Sequence, residues 1–278
     1  MTPAGAARNV TTDPFPGVGA PSYVQVRGVD KIYHAKKGDI LALKGIDFDL
    51  RQREFLSILG PSGCGKSTLL KCLAGLAPIS AGRIEVKGVP VNGPPENMGI
   101  VFQRDVLLEW LDILDNVLLP IRFARLTKQE FEPRARQLLE TLGLKGFERR
   151  APWELSGGMR QRVSICRALL RNPELLLMDE PFGALDALTR DELNLELQRI
   201  WVADAKTVLF ITHSIVEAVF LSDRVLVMSR NPGRILDTIE IALPRPRPLS
   251  IRETPEFGVY VAHIRRLFEG MGMLKGTG

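Results

Sequence analysis

The sequence predicts an α/β fold: a mostly parallel sheet, an antiparallel β subdomain at its edge and an inserted α-helical subdomain. A glycine-rich loop, Gly60 to Thr68, separates a short apolar strand pattern from a helix pattern. Leu175 to Met178 is wholly apolar, as in a parallel strand that is buried on both faces. Between these two stretches, residues 111–170 change to helical periodicity, which predicts the inserted subdomain.

The chain has 278 residues, which is enough to bury a sizeable core. Its 37 basic and 32 acidic residues give a formal charge of +5, which suits an anionic partner or a membrane surface, or simply a solvated basic face. Three scattered cysteines argue against a disulfide framework or metal cluster and predict a reducing compartment. No apolar run is long enough to cross a bilayer, and the N-terminus lacks the apolar block of an export signal, so a cytoplasmic location is expected.

The N-terminal region begins with a segment that has no periodicity. Residues 1–21 are rich in Ala, Gly, Pro and Thr and are expected to be flexible. The alternating stretches Tyr23 to Val26 and Leu43 to Leu50 predict antiparallel strands at the edge of the fold. Tyr33 lies between them, and it either packs in the core or stacks on an adenine base, as a flat ring beside a nucleotide site does.

The glycine-rich loop fits the pattern G-x-x-x-x-G-K-[ST] of a phosphate loop, although a chance Gly-rich turn is the alternative. Its residues are Gly60, Pro61, Ser62, Gly63, Cys64, Gly65, Lys66, Ser67 and Thr68. Glycines let successive backbone N–H groups turn inward around phosphate oxygens, and the following helix adds the positive end of its dipole. Lys66 is therefore expected to reach the outer phosphates and Ser67 to bind Mg²⁺, which predicts a P-loop NTPase core.

The chain after the first helix returns to strand patterns. Residues 82–86 and 89–91 predict a hairpin, and residues 98–102 predict a strand that delivers Gln103 at its end. A lone Gln carries little information. Its position at a strand end on the phosphate side of the sheet is where ligands bind in α/β folds.

Helical patterns fill the next region. Thr127 to Glu130 has the sequence of a capping box, and Gly143 ends the helix that follows. One apolar stripe runs along that helix, formed by Phe131, Ala135, Leu138, Leu139 and Leu142. Pro133 comes late for a first-turn proline, so the helix is expected to begin nearer Glu132.

A second anion-binding helix start follows in the stretch Leu155 to Arg162. Ser156 is predicted to cap the helix, with Gly157 and Gly158 in its first turn. A helix start with exposed N–H groups attracts anions by the same physics as the phosphate loop. A single nucleotide needs only one such site.

Polar residues end the two apolar strands that come next. Asp179 and Glu180 follow the apolar run, where paired carboxylates are costly unless a positive group such as Mg²⁺ with a triphosphate lies opposite. A solvated acidic turn is the alternative. Residues 208–211 predict a neighbouring strand that ends in Thr212 and His213, and a lone His is usually structural.

Together these motifs resemble the nucleotide-binding subunit of ABC transporters, over roughly residues 23–240. The resemblance predicts an ATP-binding domain over residues 22–248, with its helical subdomain at about 111–170, and a tail over 249–278. It also implies the following roles: Tyr33 as the adenine-stacking ring, Gln103 as the lid glutamine and a Mg²⁺ ligand, Asp179 as a Mg²⁺ ligand through water, Glu180 as the general base, Asp186 as a dimer contact and His213 as the switch histidine.

The same resemblance implies partners. Two subunits meet head to tail, so that Ser156, Gly157 and Gly158 of one close over ATP held by Lys66 of the other. The homodimer would lie on the cytoplasmic face of the inner membrane as a peripheral subunit bound to transmembrane permease subunits. An extracytoplasmic solute-binding protein is implied indirectly, and no nucleic acid is expected.

The importer subtype is indicated by shorter stretches. Residues 179–190, 229–234 and 243–247 resemble ATPases of the nitrate, sulfonate and taurine importers. A subunit of a lipid or efflux system is an alternative. A soluble ABC-type ATPase that acts on nucleic acid is less favoured, because that class carries a long coiled coil or two cassettes.

Two further expectations concern the surface and the tail. The apolar residues Leu107, Leu108, Trp110, Leu111 and Ile113 either receive the permease or pack inside the helical subdomain. The tail has helical spacing from Phe257 to Phe268 and is expected to pack as a short helix, with a regulatory element as the alternative. Cys64, inside the phosphate loop, is a possible target of inactivating oxidation.

Overall fold

The computed structural model describes residues 21–36, 38–183, 185–204 and 206–272. The strands are β1 Ser22–Tyr33, β2 Ile40–Arg51, β3 Phe55–Leu59, β4 Ala81–Val86, β5 Val89–Pro90, β6 Met98–Val101, β7 Leu175–Asp179, β8 Thr207–Thr212, β9 Arg224–Met228 and β10 Ile235–Glu240. The α-helices are α1 Lys66–Leu73, α2 Ile113–Val117, α3 Leu119–Phe123, α4 Lys128–Thr141, α5 Gly157–Leu169, α6 Ala187–Asp204, α7 Ile215–Leu221 and α8 Pro255–Gly270. The predicted flexible segment falls almost wholly outside the described residues.

The central sheet is mostly parallel, as predicted. Its strand order is β10-β9-β3-β8-β7-β6, in which only the edge pair β10 and β9 is antiparallel. Successive side chains of a strand point to opposite faces. Phe55 and Leu59 of β3 accordingly pack in one core cluster with the helices α2 to α8, whereas Leu56 and Ile58 pack in a second. Both faces are covered, so the phosphate-side strand ends are the accessible edge.

The antiparallel subdomain covers the second face. Its strand order is β2-β1-β4-β5, and β4 with β5 forms the predicted hairpin. Apolar residues of β1 and β2 pack with α1 against the central sheet, including Val24, Val26 and Leu43, which are at most 1% exposed. Tyr33 ends β1 and is 38% exposed, so it does not belong to this core.

The helical subdomain is built as expected, except at the start of α4. Thr127 is the N-cap residue, but its side chain makes no capping hydrogen bond, and α4 begins at Lys128. The predicted capping box and the predicted start near Glu132 are therefore both wrong. Lys128 Nζ lies 2.6 Å from Asp115 Oδ1, and this ion pair ties the first turn to α2. Pro133 is tolerated inside a helix whose apolar stripe packs in the core.

Residues Pro255–Gly270 form the helix α8, where the tail was predicted to be helical. Phe257, Ile264 and Phe268 of α8 are buried in the cluster that contains α7. Before α8, the buried Arg247 guanidinium donates hydrogen bonds to the carbonyl oxygens of Val219, Phe220, Ser222, Ile241 and Leu243. Gln198 of α6 bonds both the N–H and the carbonyl of Arg247, so this segment joins α6 to α7.

No helix in the described part of the chain is long and apolar enough to cross a membrane.

Candidate functional site

The phosphate loop joins the carboxyl end of β3 to α1, as the pattern predicts. Gly63 and Gly65 have φ values of 76° and 103°, which side chains rarely adopt. A Cβ at Gly65 would lie 2.8 Å from Leu43 Cδ2 and 2.9 Å from the Ala42 carbonyl oxygen. The loop therefore needs glycine there both for its turn and for its close approach to β2.

Lys66 is the first residue of α1 and is 4% exposed. Its ammonium donates hydrogen bonds to the carbonyl oxygens of Gly60, at 2.8 Å, and Pro61, at 3.1 Å. It also lies 3.3 Å from Glu180 Oε1. The cation is thus held inside the curve of the loop, on the side of the Glu180 carboxylate.

Asp179 and Ser67 form the pair of oxygen ligands expected beside the phosphates. Ser67 Oγ donates a hydrogen bond to Asp179 Oδ1 at 3.0 Å. Burial raises the pKa of Asp179, and the hydrogen bond from Ser67 opposes that rise. Carboxylate and hydroxyl oxygens suit a hard cation such as Mg²⁺, which commonly takes one or two carboxylates and completes its shell with phosphates and water. Among the described residues there is no group of three or more His, Cys, Asp or Glu side chains that could hold a metal.

Glu180 contacts three other predicted site residues, Lys66, His213 and Gln103. Its Oε2 lies 3.1 Å from His213 Nδ1, at the end of β8, and accepts a hydrogen bond from Gln103 Nε2 at 3.4 Å. The residue has φ 43°, and its backbone N–H donates to the Ile211 carbonyl. A non-glycine residue in this region costs roughly 1–3 kcal/mol, which the surrounding contacts must offset. The strained turn aims the carboxylate across the strand ends.

A cleft of about 410 Å³ opens over these groups. It is lined by Tyr33, Ile40, Ala42, Ser62, Gly63, Gly65, Lys66, Ser67, Thr68, Gln103, Glu180 and Asn231. Sequence reasoning missed Ile40, Ala42 and Asn231 as lining residues. Asn231 reaches the cleft because Gly233 N–H donates to the Ala42 carbonyl and Lys44 N–H to the Gly233 carbonyl. No local pattern marks this pairing, and Asn231 entered the sequence analysis only within a subtype stretch.

Nine of the predicted site residues are absent from the described lining of this cleft. Five of them adjoin lining residues in the phosphate loop or contact lining side chains: Gly60, Pro61, Cys64, Asp179 and His213. The other four are Ser156, Gly157, Gly158 and Asp186. Ser156 Oγ accepts a hydrogen bond from Met159 N–H at 3.3 Å and caps α5 as predicted. Asp186 is exposed and accepts hydrogen bonds from the Thr189 N–H and hydroxyl, which lower its pKa. One chain therefore carries a second exposed helix start, at Ser156, apart from the described lining of the cleft.

Cys64 lies buried inside the phosphate loop. It is 1% exposed, and burial raises the pKa of its thiol. Since the thiolate is the reactive form, both observations argue against the expected oxidative inactivation at Cys64 in the folded chain.

The apolar segment after Gln103 contains both buried and exposed side chains, so neither predicted role, core packing or permease docking, applies to all of it. Leu107 and Ile113 are 9% and 0% exposed and pack in the core, whereas Trp110 is 77% exposed. Asn116 holds this segment in shape, because its carboxamide bonds backbone groups of Leu108, Leu111 and Asp112. Trp110 is thus presented on a supported loop.

Comparison with known proteins agrees with this geometry. The family described as ABC transporter matches residues 43–183. A taurine import ATP-binding protein of Rhizobium johnstonii is 48% identical over 241 residues, covering 85% of this chain and 92% of that protein. An uncharacterised ABC transporter ATP-binding protein of Methanocaldococcus jannaschii is 43% identical, covering 87% and 90%. Among solved structures, a dimeric ATP-binding cassette in a post-hydrolysis state with bound ADP and Pi is 32% identical with a TM-score of 0.71, covering 80% of this chain and all of that one.

Proposed function

Because this chain belongs to the ABC transporter family and is an ATP-binding, ATP-hydrolysing subunit of it, we propose that it drives import of a small sulfonated solute through a separate membrane permease. The observation that carries the solute class is the 48% identity to a protein named for taurine import, at 92% coverage of that protein. The resemblance of three separate stretches to the nitrate, sulfonate and taurine type supports the same class.

In the hydrolysis that we propose, Lys66 binds the outer phosphate oxygens and Glu180 is the general base. A base must lie within hydrogen-bond reach of the proton that it takes. Glu180 accepts the proton of the attacking water, whose oxygen bonds the γ-phosphorus while the bond to the β–γ bridging oxygen breaks. His213 and Gln103 contact the Glu180 carboxylate at 3.1 Å and 3.4 Å, and they orient it toward that water.

The residues fit Mg²⁺ as the cation of this site. Ser67 would hold it directly, Asp179 would hold it through water, and Gln103 would be a further ligand. A bound Mg²⁺ neutralises charge on the phosphate oxygens during transfer. Burial disfavours the charged form of Asp179, and a cation would reverse that penalty.

The adenine base stacks on Tyr33 at the rim of the cleft. The ring is 38% exposed and lines the same cleft as Lys66. Because every base has a flat face, this contact contributes affinity and little discrimination.

Two copies of the chain share each site. Ser156, Gly157 and Asp186 are exposed and do not line the described cleft of their own chain, so they are available to a partner, and the buried Gly158 supports the turn of Ser156 and Gly157 from inside. The helix start at Ser156 would present N–H groups to the phosphates held by Lys66 of the other copy. Support also comes from the dimeric state of the related cassette.

The permease docks on the loop that carries Trp110. Trp110 is 77% exposed, and the Asn116 carboxamide holds its loop in shape, so a large apolar side chain is presented to a partner in a defined position. We place the ATPase at the cytoplasmic face of the inner membrane, held there by the permease. The solute-binding protein acts on the opposite side and never touches this chain.

The test is reconstitution with the permease and binding protein encoded beside this chain. Vesicles that hold the complex should hydrolyse ATP faster when taurine-loaded binding protein is added, and Glu180→Gln should abolish that response. Stimulation by a solute without a sulfonate group, and none by taurine, would contradict the solute class. Failure of the chain to bind the permease would contradict the importer assignment itself.

A further inference from the structure

We propose that Arg190 and Glu217 are positioning residues, which hold His213 against Glu180 and link it to the segment that begins at Asp186. This inference rests on the roles proposed above for His213 and Glu180. It adds two residues that are absent from the described lining of the cleft, and of which Arg190 entered the sequence analysis only as the last residue of a subtype stretch.

Glu217 fixes the backbone on both sides of His213. It lies in α7 and is 5% exposed. Its Oε2 accepts a hydrogen bond from Thr212 Oγ1 at 2.5 Å, and Thr212 Oγ1 in turn accepts one from Ser214 N–H at 3.0 Å. Ser214 Oγ accepts a hydrogen bond from Glu217 N–H at 3.3 Å, which closes the ring of contacts.

The His213 ring itself has little packing to hold it. Its side chain is 50% exposed, and the described ring contact is the 3.1 Å approach of Nδ1 to Glu180 Oε2. The place of the imidazole therefore depends on the backbone that carries it. Glu217 supports that backbone from the inner side.

Arg190 joins this arrangement to the start of α6. Its Nε lies 3.4 Å from Glu217 Oε1, and its Nη2 donates a hydrogen bond to the Leu185 carbonyl at 2.8 Å. Its backbone N–H donates to the Asp186 carbonyl at 3.0 Å. The guanidinium therefore makes an ion pair with Glu217, without a hydrogen bond from Nε, and one hydrogen bond to Leu185. A lysine ammonium is a compact point charge and does not reproduce this planar arrangement.

Burial makes the Arg190 contact necessary. The environment raises the pKa of Glu217, chiefly by desolvation, and Thr212 and Arg190 oppose the rise. Removing one partner of a buried charge pair leaves the other uncompensated, so the remaining group must move or change protonation. Either response disturbs the Thr212 to Ser214 turn. If a partner subunit displaced the segment at Asp186, the contacts of Arg190 and Glu217 would transmit that movement to the backbone of His213.

The experiment uses the full chain with Arg190→Met, Arg190→Lys and Glu217→Gln. The matched control is Arg224→Met, because Arg224 pairs with the buried Glu54 at 2.9 Å near the opposite ends of the strands. The chain has 3 histidines, so the His213 ring signal in a ¹³C-labelled sample can be assigned with His213→Ala. Turnover, the Kd for ATP and Tm are measured on the same samples.

Arg190→Met and Glu217→Gln should shift or broaden the His213 signal and lower kcat roughly tenfold to a hundredfold, with the Kd for ATP unchanged. Arg190→Lys should show a smaller change than Arg190→Met in both the His213 signal and kcat. The double variant should lose no more than the worse single variant, because both changes break one set of contacts. Arg224→Met should lower Tm and leave the His213 signal in place.

An unmoved His213 signal in both Arg190 and Glu217 variants would overturn the proposal. So would a moved signal with unchanged kcat, provided that His213→Ala itself loses turnover. Full turnover in His213→Ala would instead contradict the catalytic role proposed for His213. The position of the His213 ring signal tests the contacts of Arg190 and Glu217 independently of that role. If Arg190→Met does not fold, Arg190→Lys and Glu217→Gln carry the same test.

Discussion

Lys66 Nζ lies 3.3 Å from Glu180 Oε1, so the phosphate-binding cation and the proposed base are paired with each other. The two side chains are 4% and 14% exposed, and water screens this pair only weakly. A γ-phosphate would compete with Glu180 for the same ammonium. Nucleotide binding should therefore separate the pair and leave the carboxylate available to a water molecule.

Glu180→Gln should keep ATP binding and lose hydrolysis. The amide removes the charge that pairs with Lys66, so the Kd for ATP should be equal to or lower than that of the unmodified chain. Turnover should fall roughly 10²- to 10⁴-fold, because a general base contributes about that factor. Steady-state hydrolysis and fluorescent-nucleotide titration measure the two effects. Glu174→Gln, at an exposed carboxylate paired with Lys87, is the control; turnover near normal in Glu180→Gln would remove Glu180 from this role.

Lys66→Ala and Ser156→Arg should complement each other in a mixed dimer. Each homodimer has two damaged shared sites, whereas the heterodimer combines both lesions at one site and leaves the other intact. Tagged heterodimers should therefore trap ATP at one site per dimer. Nucleotide occupancy is the readout, because it reports each site separately whether or not hydrolysis requires both. Verified heterodimers that trap no more ATP than either homodimer would mean that Ser156 acts within its own chain.

Trp110→Glu should weaken permease binding without unfolding the ATPase. The side chain is 77% exposed, so the substitution should leave Tm of the isolated chain nearly unchanged. Val89→Glu is the control, because Val89 is 66% exposed in the hairpin of the antiparallel sheet. Co-purification with the co-expressed permease measures binding. Equal recovery of the two variants would place the docking surface elsewhere.

Cys64 should resist alkylation in the folded chain. Burial raises the pKa of the Cys64 thiol, so near neutral pH it remains protonated and unreactive. Iodoacetamide should modify it only after denaturation, as mass spectrometry of the phosphate-loop peptide would detect. Cys72 and Cys166 are also buried and serve as internal references. Rapid labelling of Cys64 alone, with loss of ATP binding, would contradict the packing described here.

Arg247→Met should destabilise the chain strongly. The guanidinium donates to carbonyl oxygens at the end of α7, and the substitution leaves several of them buried without a donor. Each unsatisfied group costs roughly 1–3 kcal/mol, so a total of about 3 kcal/mol or more is expected. Arg266→Met, at an exposed position of α8, should change the free energy of unfolding by less than about 0.5 kcal/mol. Denaturant titration compares the two variants; equal stability would show that the carbonyls find other partners.

The start of α4 marks the limit of local sequence rules. Thr127 and Glu130 have the spacing of a capping box, yet the Thr127 hydroxyl makes no capping bond. The helix nevertheless begins directly after Thr127, where Lys128 pairs with Asp115 of α2. Pro133 indicated a later start and lies inside the helix instead. The Thr127 spacing thus marked the correct N-cap residue without the side-chain bond that a capping box requires.

By itself the sequence determined the phosphate loop, the carboxylates at the end of β7 and the Ser156 cap. Each of these depends on backbone geometry within a few residues: positive φ at Gly63 and Gly65, an apolar strand that ends in Asp179, and a side chain bonded to the next turn. Short-range rules of this kind can be read from spacing alone.

Tertiary structure alone decided which distant groups meet. Asn231 lines the cleft because its loop pairs with β2, and Arg190 reaches Glu217 because α6 packs beside α7. It also decided that Cys64 is buried while Trp110 is exposed. These outcomes depend on contacts between residues far apart in the chain, whose side chains meet only when the sheet has formed and the helices have packed on it. The spacing of residues within a single segment therefore does not show which distant side chains will be in contact.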